Sequence, residues 1–376
     1  MDEHAKLKKT PFYPMHLKYG GKVVDFGGWA LSIQFAGIIE EHHAVRRRVG
    51  LFDVSHMGEV TVKGPGALAF LQYVTSRDLA EMGDNQVLYT HLLYPDGGTV
   101  DDLMVTRLGD EDYYLVVNAS NRDKDVAWLQ KHAEGFPGVV VKDISDDVGE
   151  VALQGPKAGA TLQKITESDL SALRYYHVIP RAKVAGIDVM ISRTGYTGER
   201  GFEIMCAPED GVSLWEAIMK AGAEFDIKPI GLGARDSLRF EAGMPLYGQE
   251  LDAATSPLEA RLARFVSLAK PNFIGKEALL QRQQEGLKKV LVGLEMTGRG
   301  IARHDYPVLN GGDKVGYVTS GSFSPTLNKN IAMAYVPPEL SAAGTALAVE
   351  VRGRAVGCQV VKLPFYKRPR RAKKKG

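Results

Sequence analysis

The chain has 376 residues, of which 44% are hydrophobic and 24% charged, a composition typical of a globular protein with two or three domains. No apolar run approaches the roughly 20 residues of a membrane-spanning helix, and the amino terminus lacks the apolar core of an export signal, so we expect a cytoplasmic protein. Seven Lys or Arg lie in residues 367–376, so the formal net charge of +2 becomes −5 without them. We interpret 367–376 as a basic disordered tail rather than an arm for RNA or membranes, and we expect neither a nucleic-acid nor a membrane partner.

The two cysteines exclude a disulfide framework and a cysteine metal site. Cys206 and Cys358 lie 152 positions apart, each in a strand-like apolar run. We interpret both as buried small hydrophobic residues, which fits a reducing compartment.

The first elements are short strands and one clear helix. Residues 16–35 read as short strands interrupted by glycine pairs. Residues 37–49 predict a helix, because Ile38, Val45 and Val49 share one face, acidic residues open it and Gly50 follows it.

Two pairs of adjacent polar residues resemble catalytic or metal-binding pairs but have the wrong spacing. His42 and His43 are neighbours in the predicted helix and point in different directions, so we expect them to be solvated. Ser55 and His56 lie in the extended run 51–64, where adjacent side chains face opposite ways. They cannot form a nucleophile–base dyad, and no G-x-S-x-G motif is present, so a serine hydrolase is rejected.

Residues 97–118 predict a β-hairpin whose turn is formed by the polar residues 109–112. Asp101 and Asp102 stand directly before an apolar run, where strand propensity and the cost of a buried carboxylate both disfavour them. Because side chains alternate along a strand, one aspartate can face solvent while the other points into a cavity. The alternative is a turn followed by a half-exposed strand end.

Three segments around the hairpin have simple patterns. Residues 66–74 predict a helix, and residues 122–132 predict another with Ser120 or Asn121 as its N-cap. Residues 149–165 predict a strand, a tight turn and a helix. None of these turns contains the glycine pattern of a phosphate-binding loop.

Strands are predicted at 182–192 and 202–206, separated by the glycine-rich and charged loop 193–203. This loop is either a plain connection or a ligand-cradling loop. Its length exceeds that of a simple hairpin and favours the second interpretation.

Two arginines lie one turn apart in the predicted helix 232–242. Arg235 and Arg239 are near Asp236 and Glu241. They form ion pairs within the helix, or one of them binds a ligand carboxylate with its planar guanidinium group.

The chain changes character near residues 284–289. A last helix is predicted from residue 276 to about 284, and residues 290–363 contain only short apolar runs separated by Gly, Pro and Asn turns. This predicts a small all-β sandwich or barrel after a mixed α and β region without regular βαβ units.

Seven motifs occur in order along the chain: FDVSHMGE at 52, GGTVDDLMV at 97, VVNAS at 116, ALQGP at 152, GYTGERGFE at 195, GLGARDSLRFEAGMPLYGQEL at 231 and GYVTSGSFSPTLNKNIAMAYV at 316. Together they resemble the T-protein family of the glycine cleavage system, the tetrahydrofolate-dependent aminomethyltransferases. The resemblance extends from about residue 10 to residue 366.

This resemblance implies an α+β protein with three domains in a cloverleaf around a central folate-binding channel. Residues 1–285 would form the folate-binding catalytic region, as two interleaved α+β subdomains with boundaries near 52 and 144. Residues 286–366 would form a C-terminal β-barrel-like domain.

The resemblance also implies the reaction. Members of the family take the aminomethyl group from the lipoyl arm of the H-protein and transfer its one-carbon unit to tetrahydrofolate. They release ammonia, methylenetetrahydrofolate and the dihydrolipoyl H-protein. We accordingly expect tetrahydrofolate as co-substrate, a transient contact with lipoylated H-protein, no metal and a monomer.

Site residues follow from the motif matches. Asp102 corresponds to the catalytic carboxylate beside the pteridine, which leaves Asp101 as a solvent-facing turn residue. Glu203 corresponds to the glutamate that hydrogen-bonds the pteridine, and Arg235 to the arginine that holds the glutamyl carboxylate. The other folate-contacting positions are Met57, Leu88, Tyr89, Asn118, Tyr196 and Arg303.

Several relatives of the same fold are excluded or remain as alternatives. The iron–sulfur-assembly branch carries a KGC-Y-x-GQE motif, whereas the corresponding loop here is RTGYTGERG without cysteine. Dehydrogenases that fuse this module to a flavin domain need a dinucleotide fingerprint that the chain lacks. The remaining alternatives are a folate-dependent demethylase of a small methylated compound and a folate-binding module without catalysis, and the presence of Asp102 argues against the second.

Overall fold

The structure, a computed structural model, describes residues 6–369. Its α-helices are α1 (Tyr13–Lys18), α2 (Ile38–Arg47), α3 (Ala67–Val74), α4 (Arg122–Ala133), α5 (Ala158–Leu162), α6 (Gly211–Gly222), α7 (Leu232–Glu241) and α8 (Lys276–Glu285). No helix in this described part is long and apolar enough to cross a membrane.

The strands are β1 (Lys22–Phe26), β2 (Trp29–Gln34), β3 (Gly50–Asp53), β4 (Gly58–Lys63), β5 (Val87–Leu93), β6 (Thr99–Gly109), β7 (Asp112–Val117), β8 (Val140–Asp143), β9 (Gly149–Gln154), β10 (Val178–Val184), β11 (Ile187–Ser192), β12 (Gly201–Cys206), β13 (Lys228–Ile230), β14 (Val290–Met296), β15 (Pro307–Asn310), β16 (Asp313–Ser324), β17 (Lys329–Val336), β18 (Ala346–Val351) and β19 (Arg354–Val361). They form three larger sheets and the small β1–β2 hairpin.

The first sheet, called sheet 1, has the strand order β5-β6-β7-β4-β8 and is antiparallel throughout. Apolar side chains at alternate positions of its strands, such as Leu103, Val105 and Leu115, form one core with Phe70 and Leu71 of α3. The predicted hairpin is confirmed as β6 and β7.

The second sheet, called sheet 2, has the order β10-β11-β12-β9-β3-β13, with β13 parallel to β3 and the remaining pairs antiparallel. Its core contains Phe12 and Trp215. The two sheets are interleaved, because the chain leaves sheet 2 after β3, builds sheet 1 and returns at β9. We propose that the domain boundaries near residues 52 and 144 follow these two crossings.

The carboxy-terminal strands close into the barrel β14-β17-β16-β15-β18-β19, which confirms the predicted all-β region. Closure is made by pairing of β14 with β19, and the interior is filled by small and branched side chains such as Leu294, Val318 and Val349. Phe240 of α7 packs against Tyr335 of β17, so the barrel sits directly on α7.

Two predicted strands differ from the structure. Residues 16–35 include the end of α1, whose first turn holds a proline and which buries Tyr13 and Met15. Residues 182–192 form parts of two strands, because Ala185 and Gly186 adopt φ values of +51° and +85° and make a tight turn.

His42 is buried, so its predicted solvent exposure is wrong. Its two ring nitrogens lie 2.8 Å from Ser237 Oγ and 2.8 Å from Thr326 Oγ1. The face of α2 that carries His42 packs against α7 and is covered by the loop between β16 and β17, which the sequence of α2 alone does not reveal.

Cys206 and Cys358 are both buried and unpaired, as predicted. The basic tail at 367–376 lies mostly outside the described residues. Within the described part, Arg368 Nη1 donates a hydrogen bond of 3.0 Å to Tyr175 Oη.

Candidate active site

A cavity of about 270 Å³ lies between sheet 1 and sheet 2. The side chains of β5, β6 and β7 form one wall, and those of β9, β11 and β12 form the opposite wall. The start of α7, the segment 242–246 and residues 262, 264 and 265 complete the lining. The predicted site residues that line it are Met57, Tyr89, Asp102, Asn118, Tyr196, Glu203 and Arg235.

Two predicted site residues lie elsewhere. Leu88 sits between Val87 and Tyr89 on β5, and because neighbouring side chains alternate, it packs toward the core of sheet 1 while they face the cavity. Arg303 is exposed before β15, and its Nη1 donates a hydrogen bond of 3.3 Å to the Gly321 carbonyl. The structure therefore does not bring Leu88 or Arg303 to the cavity.

Asp102 lies on the sheet 1 wall and is held by two donors. Tyr89 Oη donates to Asp102 Oδ2 at 2.8 Å, and Asn118 Nδ2 donates to Asp102 Oδ1 at 2.9 Å. Burial and the neighbouring Asp101 raise the pKa of Asp102 to about 7, against the lowering effect of these hydrogen bonds. At neutral pH this carboxyl group is therefore poised to bind or release a proton.

Asp101 is fully buried, so the prediction that it faces solvent is wrong. It accepts hydrogen bonds from Asn118 N at 3.0 Å, Asn118 Nδ2 at 2.9 Å and Asn121 Nδ2 at 2.6 Å. The alternation along β6 does turn Asp101 away from the cavity. The face that it reaches, however, is covered by α4 and the turn before it.

The turn before α4 carries the two amides that connect these aspartates. The Nδ2 atom of Asn118 lies within 3.0 Å of Asp101 Oδ1, Asp102 O and Asp102 Oδ1, so its two hydrogens are shared among three acceptors. Asn121 occupies the N-cap position of α4 but makes no side-chain capping bond. Its amide donates to Asp101 instead, so Asn121 holds the predicted N-cap position but its side chain does not cap the helix.

The opposite wall carries a second group of carboxyls. Thr194 Oγ1 donates a short hydrogen bond to Glu203 Oε2, and burial raises the pKa of Glu203, opposed by Arg235. Glu150 also lines the cavity, and burial together with Glu203 and Glu59 raises its pKa well above the usual range. Burial raises the pKa of Glu59, behind it, to about 8.

These carboxyls have few partners within the protein. Glu59, on β4 of sheet 1, and Glu150 lie with their carboxyl groups against each other. Apart from that contact, both carboxyl oxygens of Glu59, Glu150 Oε2 and Tyr114 Oη are buried without a hydrogen-bond partner among residues 6–369. The sequence interpretation did not select Glu59 or Glu150. The available signal was a glutamate at the beginning of an otherwise apolar strand, in GEVTV and GEVAL.

The two arginines of α7 have different roles. Arg239 is buried and pairs with Asp236 and Glu250, each at 2.8 Å. The guanidinium group of Arg235 lies over the Tyr196 ring, 5.0 Å from its centroid, and makes no ion pair within the described chain. Ion pairing thus accounts for Arg239, whereas Arg235 faces the cavity.

The loop 193–203 forms part of the cavity wall. Gly195 has a φ of +156°, and a Cβ atom there would lie 2.2 Å from Gln154 Oε1, so only glycine fits. Tyr196 follows and donates a short hydrogen bond to the Pro245 carbonyl, which ties the loop to the segment after α7. The loop therefore serves as a shaped wall rather than as a plain connection.

Two other kinds of site are not formed by the described residues. Ser55 Oγ donates to the Glu150 carbonyl at 3.1 Å, and burial lowers the pKa of His56 to about 4, so the pair is no dyad. Within residues 6–369, no three His, Cys, Asp or Glu side chains are arranged to hold a metal ion.

The arrangement suits a planar polar ligand. The rings of Tyr89 and Phe265, with centroids 4.8 Å apart, both line the cavity. Asp102 supplies a carboxyl that titrates near neutrality on one side. Glu203 and Arg235 supply an acceptor and a cation on the other side. Such a site can bind a ligand that carries both hydrogen-bond donors and an anionic group, and it can move a proton at Asp102.

Comparisons with known proteins agree over nearly the whole chain. Residues 12–270 match the family model of the GCVT N-terminal domain, and residues 289–367 match that of the glycine cleavage T-protein C-terminal barrel domain. An aminomethyltransferase of Desulfitobacterium hafniense (strain DSM 10664 / DCB-2) is 52% identical over 97% of this chain and 99% of its own. One from Caldanaerobacter subterraneus subsp. tengcongensis is 49% identical over 98% of each chain.

A solved structure agrees as well. The crystal structure of the glycine cleavage system aminomethyltransferase T from Bartonella henselae superposes with a TM-score of 0.89 at 35% identity. The match covers 96% of this chain and 99% of that one.

Proposed function

Because the chain belongs to the glycine cleavage T-protein family and is an aminomethyltransferase, we propose that its cavity binds tetrahydrofolate as the one-carbon acceptor. The donor is the aminomethyl group on the lipoyl arm of the H-protein. The observation that carries this proposal is Asp102, a carboxyl with a pKa of about 7 at the wall of a cavity whose other side presents Glu203 and Arg235.

The cavity chemistry supports folate as its ligand. A pteridine presents ring and amino N–H donors side by side, which a carboxylate such as Glu203 accepts in pairs. Met57, Tyr89 and Tyr196 offer apolar and aromatic surface for the ring system. Arg235, which has no ion pair within the described chain, offers a fixed positive charge for a carboxylate of the folate.

The transfer is a redox-neutral exchange. The carbon–nitrogen and carbon–sulfur bonds of the S–CH2–NH2 group break, and bonds from the same carbon to N5 and N10 of tetrahydrofolate form. The two protons that N5 and N10 lose end on ammonia and on the lipoyl sulfur. The products are ammonia, methylenetetrahydrofolate and the dihydrolipoyl carrier.

Asp102 acts on this exchange through its charge. As the carbon–nitrogen bond to ammonia breaks, the transferred carbon gains positive charge, which a nearby carboxylate stabilises. The same group accepts a proton from, or orients, the attacking folate amine. Tyr89 and Asn118 fix the carboxylate in one orientation, so little reorganisation is needed during the reaction.

The proposal extends to the partners. The carrier makes a transient contact at the cavity entrance, and the protein acts as a monomer without a bound metal.

A reconstituted assay tests the function. The full chain is incubated with tetrahydrofolate and aminomethylated lipoyl carrier, and ammonia and methylenetetrahydrofolate are measured. We expect both products in equal amounts. Release of a methyl group from a small methylated compound, with no ammonia from the carrier, would instead identify a folate-dependent demethylase. Folate binding without turnover of either donor would identify a binding module without catalysis.

A further inference from the structure

Asp125 of α4 lies behind the aspartate pair of β6 and has no evident role in the proposed reaction. It is fully buried, and neither of its carboxyl oxygens has a hydrogen-bond partner of ordinary donor type within residues 6–369. Its carboxyl group instead contacts the carboxyl group of Asp101. Two ionised carboxylates in contact within a buried site are strongly unfavourable.

The surroundings decide which of the two carboxyls holds a proton. Asp101 accepts three hydrogen bonds from the amides of Asn118 and Asn121, so both of its carboxyl oxygens already act as acceptors. Asp125 receives no such bond. Burial and the neighbouring Asp101 raise the pKa of Asp125 to about 11. Asp125 is therefore the protonated partner, and its O–H group can donate to the Asp101 carboxylate.

We propose that Asp125, as hydrogen-bond donor, and Asp101, as its acceptor, form a positioning pair, which holds Asn118 and through it sets the orientation and the ionisation of Asp102. The connection is continuous: Asp125 contacts Asp101, Asp101 accepts two bonds from Asn118, and Asn118 donates to Asp102. This inference rests on the proposed function only in that Asp102 is the catalytic residue.

Other ionisable groups surround the pair. Lys124 precedes Asp125 on α4, and its Nζ lies 3.9 Å from Asp125 Oδ1, while burial lowers its pKa. Tyr94 and Tyr247 approach from outside α4. Tyr247 Oη donates to the Thr99 carbonyl at 3.2 Å. Tyr89 and Tyr196 face Asp102 itself. The cation nearest to the pair, Lys124, therefore lies beside Asp125. The carboxylate nearest to Asp102 is that of Asp101.

The sign of the effect on pH dependence follows from this charge. The negative charge of Asp101 opposes ionisation of Asp102, so it raises the pKa of Asp102. If activity requires ionised Asp102, the acidic limb of the pH profile lies near that pKa. In Asp101→Asn the charge next to Asp102 is gone, and any negative charge moves to Asp125, farther along the connection. We expect the midpoint of the limb to fall by about one pH unit.

Two variants of Asp125 separate positioning from packing. Asp125→Asn keeps a donor toward Asp101, so we expect kcat to remain within about threefold of the parent. Asp125→Leu keeps the branched shape of the side chain, at a larger volume, but removes the donor. We expect kcat to fall about tenfold, with the KM for tetrahydrofolate nearly unchanged, because Asn118 and Asp102 lose alignment. Asp123→Asn, at an exposed position of the same helix, is the matched control and should match the parent.

The measurement is the pH profile of ammonia release by each full-length variant with saturating aminomethylated lipoyl carrier. Equal loss of kcat in Asp125→Asn and Asp125→Leu, or no loss in Asp125→Leu, overturns the positioning pair. An unchanged midpoint of the acidic limb in Asp101→Asn also overturns the positioning pair. This result does not depend on whether Asp125→Leu folds. Asp102→Asn separates the two proposals: full activity of that variant overturns the catalytic role of Asp102, whatever the other variants do.

Discussion

The two walls of the cavity hold buried carboxyl groups in opposite ways. On sheet 1, Asp101 and Asp102 are held by amide and hydroxyl donors that belong to the chain itself. On sheet 2, Glu150 Oε2 has no hydrogen-bond partner among residues 6–369 apart from the carboxyl group of Glu59, which lies on β4 of sheet 1 behind the cavity. Buried polar atoms need hydrogen bonds, so we propose that the Glu150 carboxyl takes one from a bound molecule.

This difference indicates that the two walls of the cavity have different roles. The sheet 1 wall is organised before any ligand arrives, as a group that acts in the transition state should be. We propose that the sheet 2 wall, where Glu150 Oε2 lacks an amide or hydroxyl donor, is completed by its ligand, as a recognition surface should be. If this contrast holds, substitutions on sheet 1 change the rate of the chemical step, and substitutions on sheet 2 change folate affinity.

The largest effect is expected at Asp102. Asp102→Asn removes the charge that stabilises the developing cation, so kcat should fall by about 100- to 1000-fold. Folate affinity, measured by titration of the variant with tetrahydrofolate, should change by less than about threefold. A large loss of affinity with normal turnover of bound folate would place Asp102 among the binding residues and break the contrast between the walls.

Glu203 should show the reverse behaviour. Glu203→Gln replaces a charged hydrogen-bond acceptor with a neutral one. We therefore expect folate to bind about 10- to 100-fold more weakly. The kcat at saturating folate should remain within about threefold of the parent. Glu209→Gln, an exposed substitution just after the same strand, serves as control for both measurements. If Glu203→Gln lowers kcat as strongly as it lowers affinity, the sheet 2 wall takes part in the chemistry.

The pH dependence of the reaction is the third test. With the pKa of Asp102 at about 7, its carboxylate is progressively lost as the pH falls through 7. The kcat should therefore decline on the acidic side, and by about tenfold per pH unit once well below the midpoint. A profile that stays flat down to pH 5 would show that the ionised form of Asp102 is not required.

The smallest effect on the reaction is expected at Glu59, whose carboxyl group affects the stability of the protein instead. Its folded-state pKa of about 8 exceeds the usual value of 4.5, so the folded state binds the proton more tightly than the unfolded state. This contribution to stability is fully present below pH 4.5 and is lost as the pH rises toward 8. Glu59→Gln removes this pH dependence, so the stability of the variant relative to the parent should rise between pH 5 and pH 8, by up to about 3–4 kcal/mol.

Denaturant unfolding of both proteins at the two pH values gives this difference. The control is Glu40→Gln, at an exposed position of α2. Its free energy of unfolding should differ from that of the parent by the same amount at both pH values. The same pH dependence in parent and Glu59→Gln would contradict the ionisation assigned to Glu59.

Much of the molecule could be predicted from its sequence. The family and the mixed α and β fold with a carboxy-terminal barrel are confirmed. The hairpin that carries Asp102 is confirmed as well. These depend on local patterns and on motifs in order. The cavity also collects Asn118, Glu203 and Arg235, which the motif matches selected, although their roles remain proposals.

The sequence does not show which elements pack over each face of a strand or helix. Alternation along β6 correctly separates Asp101 from Asp102, but only the packing of α4 shows that Asp101 faces protein rather than water. The same reason applies to His42, which other elements cover, and to Asp125, an aspartate in the first turn of a helix. Leu88 lies outside the cavity lining, because only its two neighbours on β5 face the cavity.

The interleaving of the two sheets has a consequence for folding kinetics. Gly50 of β3 pairs with Gln154 of β9, so the centre of sheet 2 closes a loop of about 100 residues. Sheet 1 is built entirely from within that loop, and its completion brings the ends of the loop together and lowers the entropy cost of closure. We therefore expect sheet 1 to form first during synthesis. The cavity, which needs both walls, would form late, so folate would bind only chains that have finished folding.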